Sequence, residues 1–266
     1  MHVINPKKYP LPKNAKTPQE ATIAQALANA ERLGLPNMVF VQLSSYGYDN
    51  TWVLDSLKQV GPERGRGVVA FDPEHIDSQT LQQWHDLGRG VRVNLRSSKT
   101  SLSKSEIQTL LRKYAEKLRP MNTWTIGLYA DMEVLDHVQP LVSELQVKIV
   151  LEHFASPAFL PLDPARQPGW DALNSMMENP RVFVKISGPY LFSKDPTLKD
   201  FESLAKALFR MRNGEGVVFA SDWPHTQSRG YDAKAFMDRC IEWCNGDEEL
   251  MRRLFRDNAR ALWDAQ

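Results

Sequence analysis

The chain has 266 residues, with 33 Lys and Arg against 32 Asp and Glu, a net charge of +1 and 42% hydrophobic residues, which suits one large domain, residues 1–266, with a full core. Near-neutrality excludes a global basic field for nucleic acid and an acidic tail, so any charged ligand must be met by local side chains. No run reaches the roughly 18–20 apolar residues of a membrane span, Met1 opens directly on His2-Val3-Ile4-Asn5-Pro6, and Cys240 and Cys244 form no disulfide or metal pattern, which together predict a soluble cytoplasmic protein.

In chain order, His2–Ile4 reads as a first strand that lacks its beginning. Thr17-Pro18-Gln19-Glu20 predicts a helix start, with Pro in the first turn, and Gly34 its end. Short β-branched runs then recur at Asn37–Leu43, Gly67–Phe71, Gly90–Leu95, Thr123–Tyr129, Val147–Glu152, Arg181–Ser187 and Gly216–Ser221. Between them lie segments of helical spacing: Tyr48–Val60, Ser78–Asp86, a Ser103-x-x-Glu106 capping box opening a helix to Leu118, Asp131–Leu145, Pro168–Glu178, Thr197–Arg212, Asp232–Cys244 and Glu248–Phe255. Strand–helix alternation without hairpin signals predicts a parallel sheet with helices outside. A doubly wound open sheet fits that alternation too, but eight units in about 250 residues match a (β/α)8 barrel.

Parallel strands covered on both faces are expected to be apolar, so polar residues at their C-terminal ends need a reason. Gln42 and Ser44 share one face of their strand, as do Arg92, Asn94 and Arg96 of theirs. Tyr129 is in register with Gly127 and Thr125, and the later strands end in Glu152-His153, Lys185-Ile186-Ser187 and Ser221-Asp222. Each alone has a structural explanation: His153 as a satisfied core histidine, Lys185 as an ion-pair partner, Asp222 as a cap. Together they would bury Arg, His, Lys and Asp in one barrel, which is costly unless they pair or bind a ligand, and barrel active sites form at this rim. His75, His85 and His137 read as surface residues, and Lys99, Lys104, Arg112 and Lys113 as a solvated helix face. Ser44-Ser45 lacks a nucleophile elbow, and no phosphate-binding glycine loop occurs.

Several motifs resemble the amidohydrolase-related family, in the branch of 2-pyrone-4,6-dicarboxylate lactonase and muconolactone hydrolases. They are His2-Val3-Ile4-Asn5-Pro6, Gln42-Leu43-Ser44-Ser45-Tyr46-Gly47, Gly90-Val91-Arg92, Glu152-His153-Phe154, Val184-Lys185-Ile186-Ser187-Gly188 and, most specifically, Ser221-Asp222-Trp223-Pro224-His225. The resemblance implies a distorted (β/α)8 TIM barrel with a truncated first strand. The family's first strand carries His-x-His, and His2 matches only the second histidine.

The resemblance also implies hydrolysis of a lactone or related ester of a small carboxylic acid by Asp-activated water, without metal, since Tyr129 stands where a metal ligand would be. Asp222 is then the base, and His153 and His2 donate to the carbonyl. Arg92 and Arg96, with Tyr129, Lys185, Gln42, Ser44 and His225, form the substrate wall, the guanidinium fork matching a carboxylate. The alternatives are a zinc-dependent decarboxylase using His2, His153 and Asp222, and a catalytically silent carboxylate-binding protein. The loops Pro157–Pro168 and Tyr190–Pro196 are expected to form a lid. Oligomeric state has no signature, because outer barrel helices and interface helices share the same apolar spacing.

Overall fold

A computed structural model describes residues 1–11, 19–85, 88–96 and 102–264. Its strands are β1 Met38–Val41, β2 Gly65–Val69, β3 Gly88–Asn94, β4 Thr125–Tyr129, β5 Lys148–Leu151, β6 Val182–Ile186 and β7 Val217–Phe219. They form one sheet in chain order, every neighbouring pair parallel, with helical segments between. The sheet curls into a TIM-barrel-type α/β fold, and each strand overlaps the β-branched run that predicts it.

The expected first strand does not form as such. Met1 and His2 instead stand between β1 and the segment after β7. The Met1 amino group donates to the Val39 carbonyl at 2.8 Å, the Val41 amide donates to the Met1 carbonyl at 3.0 Å, and the His2 amide donates to the Trp223 carbonyl at 2.8 Å. The first two bonds are those of a parallel ladder. Beyond them the chain turns away at Pro6, and Ile4 pairs antiparallel with Ala21.

Side-chain alternation sorts the strands into two layers. Phe40, Val69, Val91, Ile126, Ile149 and Val184 join the large core shared with the helices. Val68, Gly90 and Thr125 meet on the barrel's inner face, where space is short: a Cβ at Gly90 would stand 2.6 Å from Thr125 Oγ1 and 3.3 Å from Val68 Cγ2. Val150, Phe183 and Val218 pack on Leu262. The C-terminal helix Asn258–Trp263 is therefore a plug. Its last carbonyls, which lack partners within the helix, receive Lys148 Nζ at 2.7 Å (Ala261) and 3.1 Å (Leu262) and Arg66 Nε at 3.3 Å (Trp263).

The Ser103–Glu106 capping box opens the helix Lys104–Leu118 as predicted. Two helical expectations are corrected. The first helix is Ile23–Arg32, opened by a capping box of Thr22 and Gln25; the expected start at Thr17-Pro18 lies outside the described residues. The stretch Asp131–Leu145 is broken into short pieces, Met132–Val134, Leu135–Val138, Gln139–Leu141 and Val142–Leu145; Pro140, which has no amide hydrogen to continue a helix, accounts for the break at Gln139–Leu141. No helix among the described residues is long and apolar enough to cross a membrane. Cys240 and Cys244 are both buried and unpaired.

Candidate active site

The barrel brings His2, Arg92, Tyr129, His153 and Asp222 together. Two of them stand on left-handed backbone a short step beyond their strands, with φ of +51° at both His153 and Asp222. Each such residue costs about 1–2 kcal/mol without glycine's freedom, so the surroundings must hold it. For His153 the left-handed run continues through Ser156. It is fastened by the Phe154 amide on the Lys185 carbonyl at 2.9 Å and by the Phe154 ring, 4.4 Å from that of Phe201. For Asp222 the following turn is tied back by Thr226, whose hydroxyl donates to the Ser221 carbonyl and whose amide donates to the Asp222 carbonyl at 3.3 Å.

Asp222 is 8% exposed. Burial alone would raise its pKa, but His153, His225, the Tyr190 hydrogen bond and Lys185 together outweigh it and hold the carboxyl below its ordinary value. The Tyr190 hydroxyl donates to Oδ2, while Oδ1 stands 3.8 Å from His2 Nε2. Burial, ahead of Asp222's opposing pull, lowers the pKa of His153, and burial lowers those of His2 and His225 as well. All three rings are thus neutral near pH 7. His2 Nδ1 lies 2.6 Å from the Val41 carbonyl oxygen, which can only accept, so the ring hydrogen is on Nδ1 and Nε2 is a bare acceptor. His153 Nδ1 meets the Ser187 hydroxyl at 2.9 Å, and its ring stands edge-on to Tyr129, centroids 4.9 Å apart. The His225 ring lies 4.9 Å from that of His2.

The cationic wall is asymmetric. Arg92 donates through Nη1 to the Gln42 carbonyl at 2.5 Å, its buried Nε has no hydrogen-bond partner, and no acidic side chain pairs with it among the described residues. Arg96 is partly satisfied: its Nε contacts Asp131 at 2.8 Å, and its guanidinium lies 5.6 Å from the Tyr129 ring and 4.8 Å from that of Phe192. Lys185, expected at the substrate, pairs instead with the buried Glu152. Burial pushes Glu152 upward, and Lys185, His153 and Arg92 more than reverse it, leaving the carboxyl below its ordinary value. Gln42 spends its amide on the next loop, donating to the Gly47 and Asp49 carbonyls at 3.0 and 2.7 Å. Ser44 is exposed and accepts from Asn94 Nδ2 at 2.6 Å.

Of the two expected lid segments, Tyr190–Pro196 reaches the site through Tyr190 and Phe192. Pro157–Pro168 is tied to Ser203 by the Leu162 amide at 2.9 Å, and Arg166 covers the Phe159 ring at 5.4 Å. The pairing of Tyr190 with Asp222 and that of Glu152 with Lys185 are not legible in the sequence. A signal for Tyr190 itself is present in Ser187-Gly188-Pro189-Tyr190, a turn placed one residue after a strand. His75 pairs with Asp72 on the surface, and His85 accepts from Trp124 Nε1 at 3.1 Å, both away from the site. Arg112 and Lys113 are paired with Glu144 and Glu74, as a solvated face requires; Lys99 lies outside the described residues.

The zinc alternative is tested by the donor atoms. His2 Nε2 and Asp222 Oδ1, 3.8 Å apart, are near the spacing of about 3.3 Å between two ligands of one tetrahedral zinc. Among the described residues, however, no group of three or more His, Cys, Asp or Glu is arranged to hold a metal, and Tyr190 already occupies Oδ2.

An amidohydrolase family profile matches residues 4–265, and the chain belongs to that family. A 4-sulfomuconolactone hydrolase of Hydrogenophaga intermedia is 24% identical over 271 residues, covering 98% of this chain and 86% of the relative. Among solved structures, a Pseudomonas putida protein assigned as a 2-pyrone-4,6-dicarboxylic acid hydrolase superposes with a TM-score of 0.78 at 26% identity, over 99% of this chain and 95% of its own. An Acinetobacter baumannii protein of the same assignment, with citric acid bound, gives a TM-score of 0.79 at 20% identity, over 99% and 97% of the two chains.

Proposed function

We propose that this protein is a hydrolase that opens the lactone ring of a small carboxylated or sulfonated substrate, with Asp222 as the base and no catalytic metal. The observation that carries the reading is a buried, ionised Asp222 in the same barrel mouth as a guanidinium, Arg92, that has no acidic partner among the described residues. The 4-sulfomuconolactone and 2-pyrone-4,6-dicarboxylic acid hydrolases similar to this chain support a lactone with anionic substituents.

Arg92 binds one anionic group through its fork, and Arg96, shared with Asp131, binds a second more weakly. The ring carbonyl lies toward His153, whose outer nitrogen donates to the oxygen as negative charge develops there. That role requires Ser187 to donate to His153 Nδ1, leaving the hydrogen on Nε2. Water attacks the carbonyl carbon while Asp222 takes its proton. The tetrahedral intermediate then collapses, the ring C–O bond breaks, and Asp222 returns the proton to the leaving oxygen. The product is an open-chain acid, and each atom of the water is accounted for.

Asp222→Asn tests the base directly. Asn tolerates left-handed backbone better than other non-glycine residues, so the variant keeps its fold. Ring opening of 4-sulfomuconolactone is expected to fall by about 10²–10⁴-fold, followed by loss of the lactone's absorbance. Turnover retained in the variant contradicts the assignment. The decarboxylase reading predicts carbon dioxide release instead, which a separate measurement of evolved carbon dioxide on the same reaction detects.

A further inference from the structure

The interior of a closed parallel barrel is normally filled by layers of side chains. Here the filling is incomplete. β1 and β7 end the sheet and are not paired with each other among the described residues, and the backbone of Met1 and His2 bridges the gap only beside Val39, Val41 and Trp223. Gly127 of β4, also in the wall, adds no side chain to fill the space. A cavity of about 610 Å³ results, running from Val150, Val218 and Leu262 through the gap to Leu33, Met237 and Phe255. That volume is within the range of about 300–1,000 Å³ usual for small-molecule sites. The cations along it differ in how they are matched. Lys185, in the barrel, is paired with Glu152. Toward the surface the wall carries exposed Arg64 and Arg260 and half-buried Arg66. Arg64 and Arg66 donate to the Pro36 and Trp263 carbonyls, and none of the three has an acidic ion-pair partner among the described residues. One acid, Glu63, stands in the wall there.

We propose that this cavity is a second ligand site, which binds an amphiphilic monocarboxylate with its apolar chain between β1 and β7 and its carboxylate at Arg64 and Arg260. The orientation follows from the charges. The inner cation is already neutralised, whereas the outer ones are matched only by carbonyls or water, so the acid group gains most at the surface end. The chain then covers the apolar wall, and each methylene taken out of water strengthens binding about three- to fourfold. This ligand differs in kind from the substrate of the barrel mouth, which carries several polar groups on a small ring and has no chain to fill the gap. The two sites are also separate in their walls: Arg92, His153 and Asp222 do not line the cavity. The inference is therefore independent of the role of Asp222 as base.

The test uses hexanoate, octanoate and decanoate, titrated into the whole protein by calorimetry. One molecule is expected to bind per chain, with affinity rising about tenfold for each added pair of methylenes. Arg260→Glu changes an exposed residue and is expected to weaken decanoate at least threefold at low salt while keeping the dependence on chain length. Val39→Trp, checked for folding by its thermal melt, fills the cavity beside the edge of β1 and is expected to abolish binding. The location is read independently from a crystal of the wild-type protein grown with ω-bromodecanoate, with data at the bromine absorption edge. The bromine is expected near Val150, Val218 and Leu262. No binding, an affinity independent of chain length, an unchanged affinity in Arg260→Glu, or a bromine beside Asp222 in the barrel mouth overturns the proposal. So does a crystal in which the gap is covered by a second copy of the chain or by a peptide segment. If decanoate fails to bind while Asp222→Asn is inactive, only this second site is lost; if decanoate binds while Asp222→Asn is active, only the base reading is.

Discussion

Arg92 and Lys185 are both cations on the inner face of the barrel, yet they do different work. Arg92 has a neutral carbonyl for its partner and an orphaned Nε; Lys185 is matched by Glu152. Arg92→Lys is therefore expected to raise KM about tenfold or more with kcat less affected, because an ammonium cannot reproduce the fork; equal losses in both would relocate the interaction to the transition state. Lys185→Met leaves a buried carboxylate alone and is expected to destabilise the fold by about 3–5 kcal/mol near neutral pH, read by urea unfolding. The sign with pH follows from Glu152. Its folded pKa lies below the ordinary 4.5, so the pair's contribution is complete above 4.5 and is lost as pH falls through the lowered value. The gap between wild type and Lys185→Met should accordingly narrow in acid; a constant gap would place the pair's role elsewhere. The polar residues themselves were legible from the strand-end pattern. Their pairings were not, because Lys185 and Glu152 are 33 positions apart in sequence and alternation gives the face of a residue without its partner across the barrel.

The short turn after β6 shows why element boundaries matter to the chemistry. Gly188 has φ of +58°, and a Cβ there would stand 2.8 Å from His153 Nδ1, 3.1 Å from Leu191 Cδ1 and 3.2 Å from Asp222 Oδ2. Gly188→Ala is expected to cost about 1–2 kcal/mol in stability from the left-handed backbone. Its effect on kcat should be larger, since the methyl group enters between the base and His153. Normal turnover with normal stability would mean that the turn is looser than drawn. Such turns escape sequence reading because the glycine's conformation depends on what the neighbouring strands place around it. Helices with local signals are legible in the sequence, as at Ser103–Glu106. Asp131–Leu145 was read as continuous because its apolar spacing survives the break at Pro140, although the backbone hydrogen bonds do not.

Over the whole molecule, seven parallel strands in chain order make a barrel into whose interior the last helix packs Leu262. Leu262→Ala removes the plug's main contact with Val150, Phe183 and Val218 and is expected to destabilise by about 2–5 kcal/mol, measured by denaturant midpoint; a near-neutral result would show that the helix is docked mainly through Lys148 and Arg66. The alternation of strand and helix made the α/β class legible, and the motif resemblance pointed to the barrel. The position of Met1–His2 between β1 and the segment after β7 was beyond it, since isolated bridges leave no periodicity to read.

Hydrolysis without a metal is the central proposal for this site. Ring opening of 4-sulfomuconolactone by the purified protein should be measured before and after prolonged chelation, alongside elemental analysis of the same sample. Substoichiometric metal and an unchanged rate are expected. Loss of activity on chelation, restored by stoichiometric zinc, would contradict that proposal.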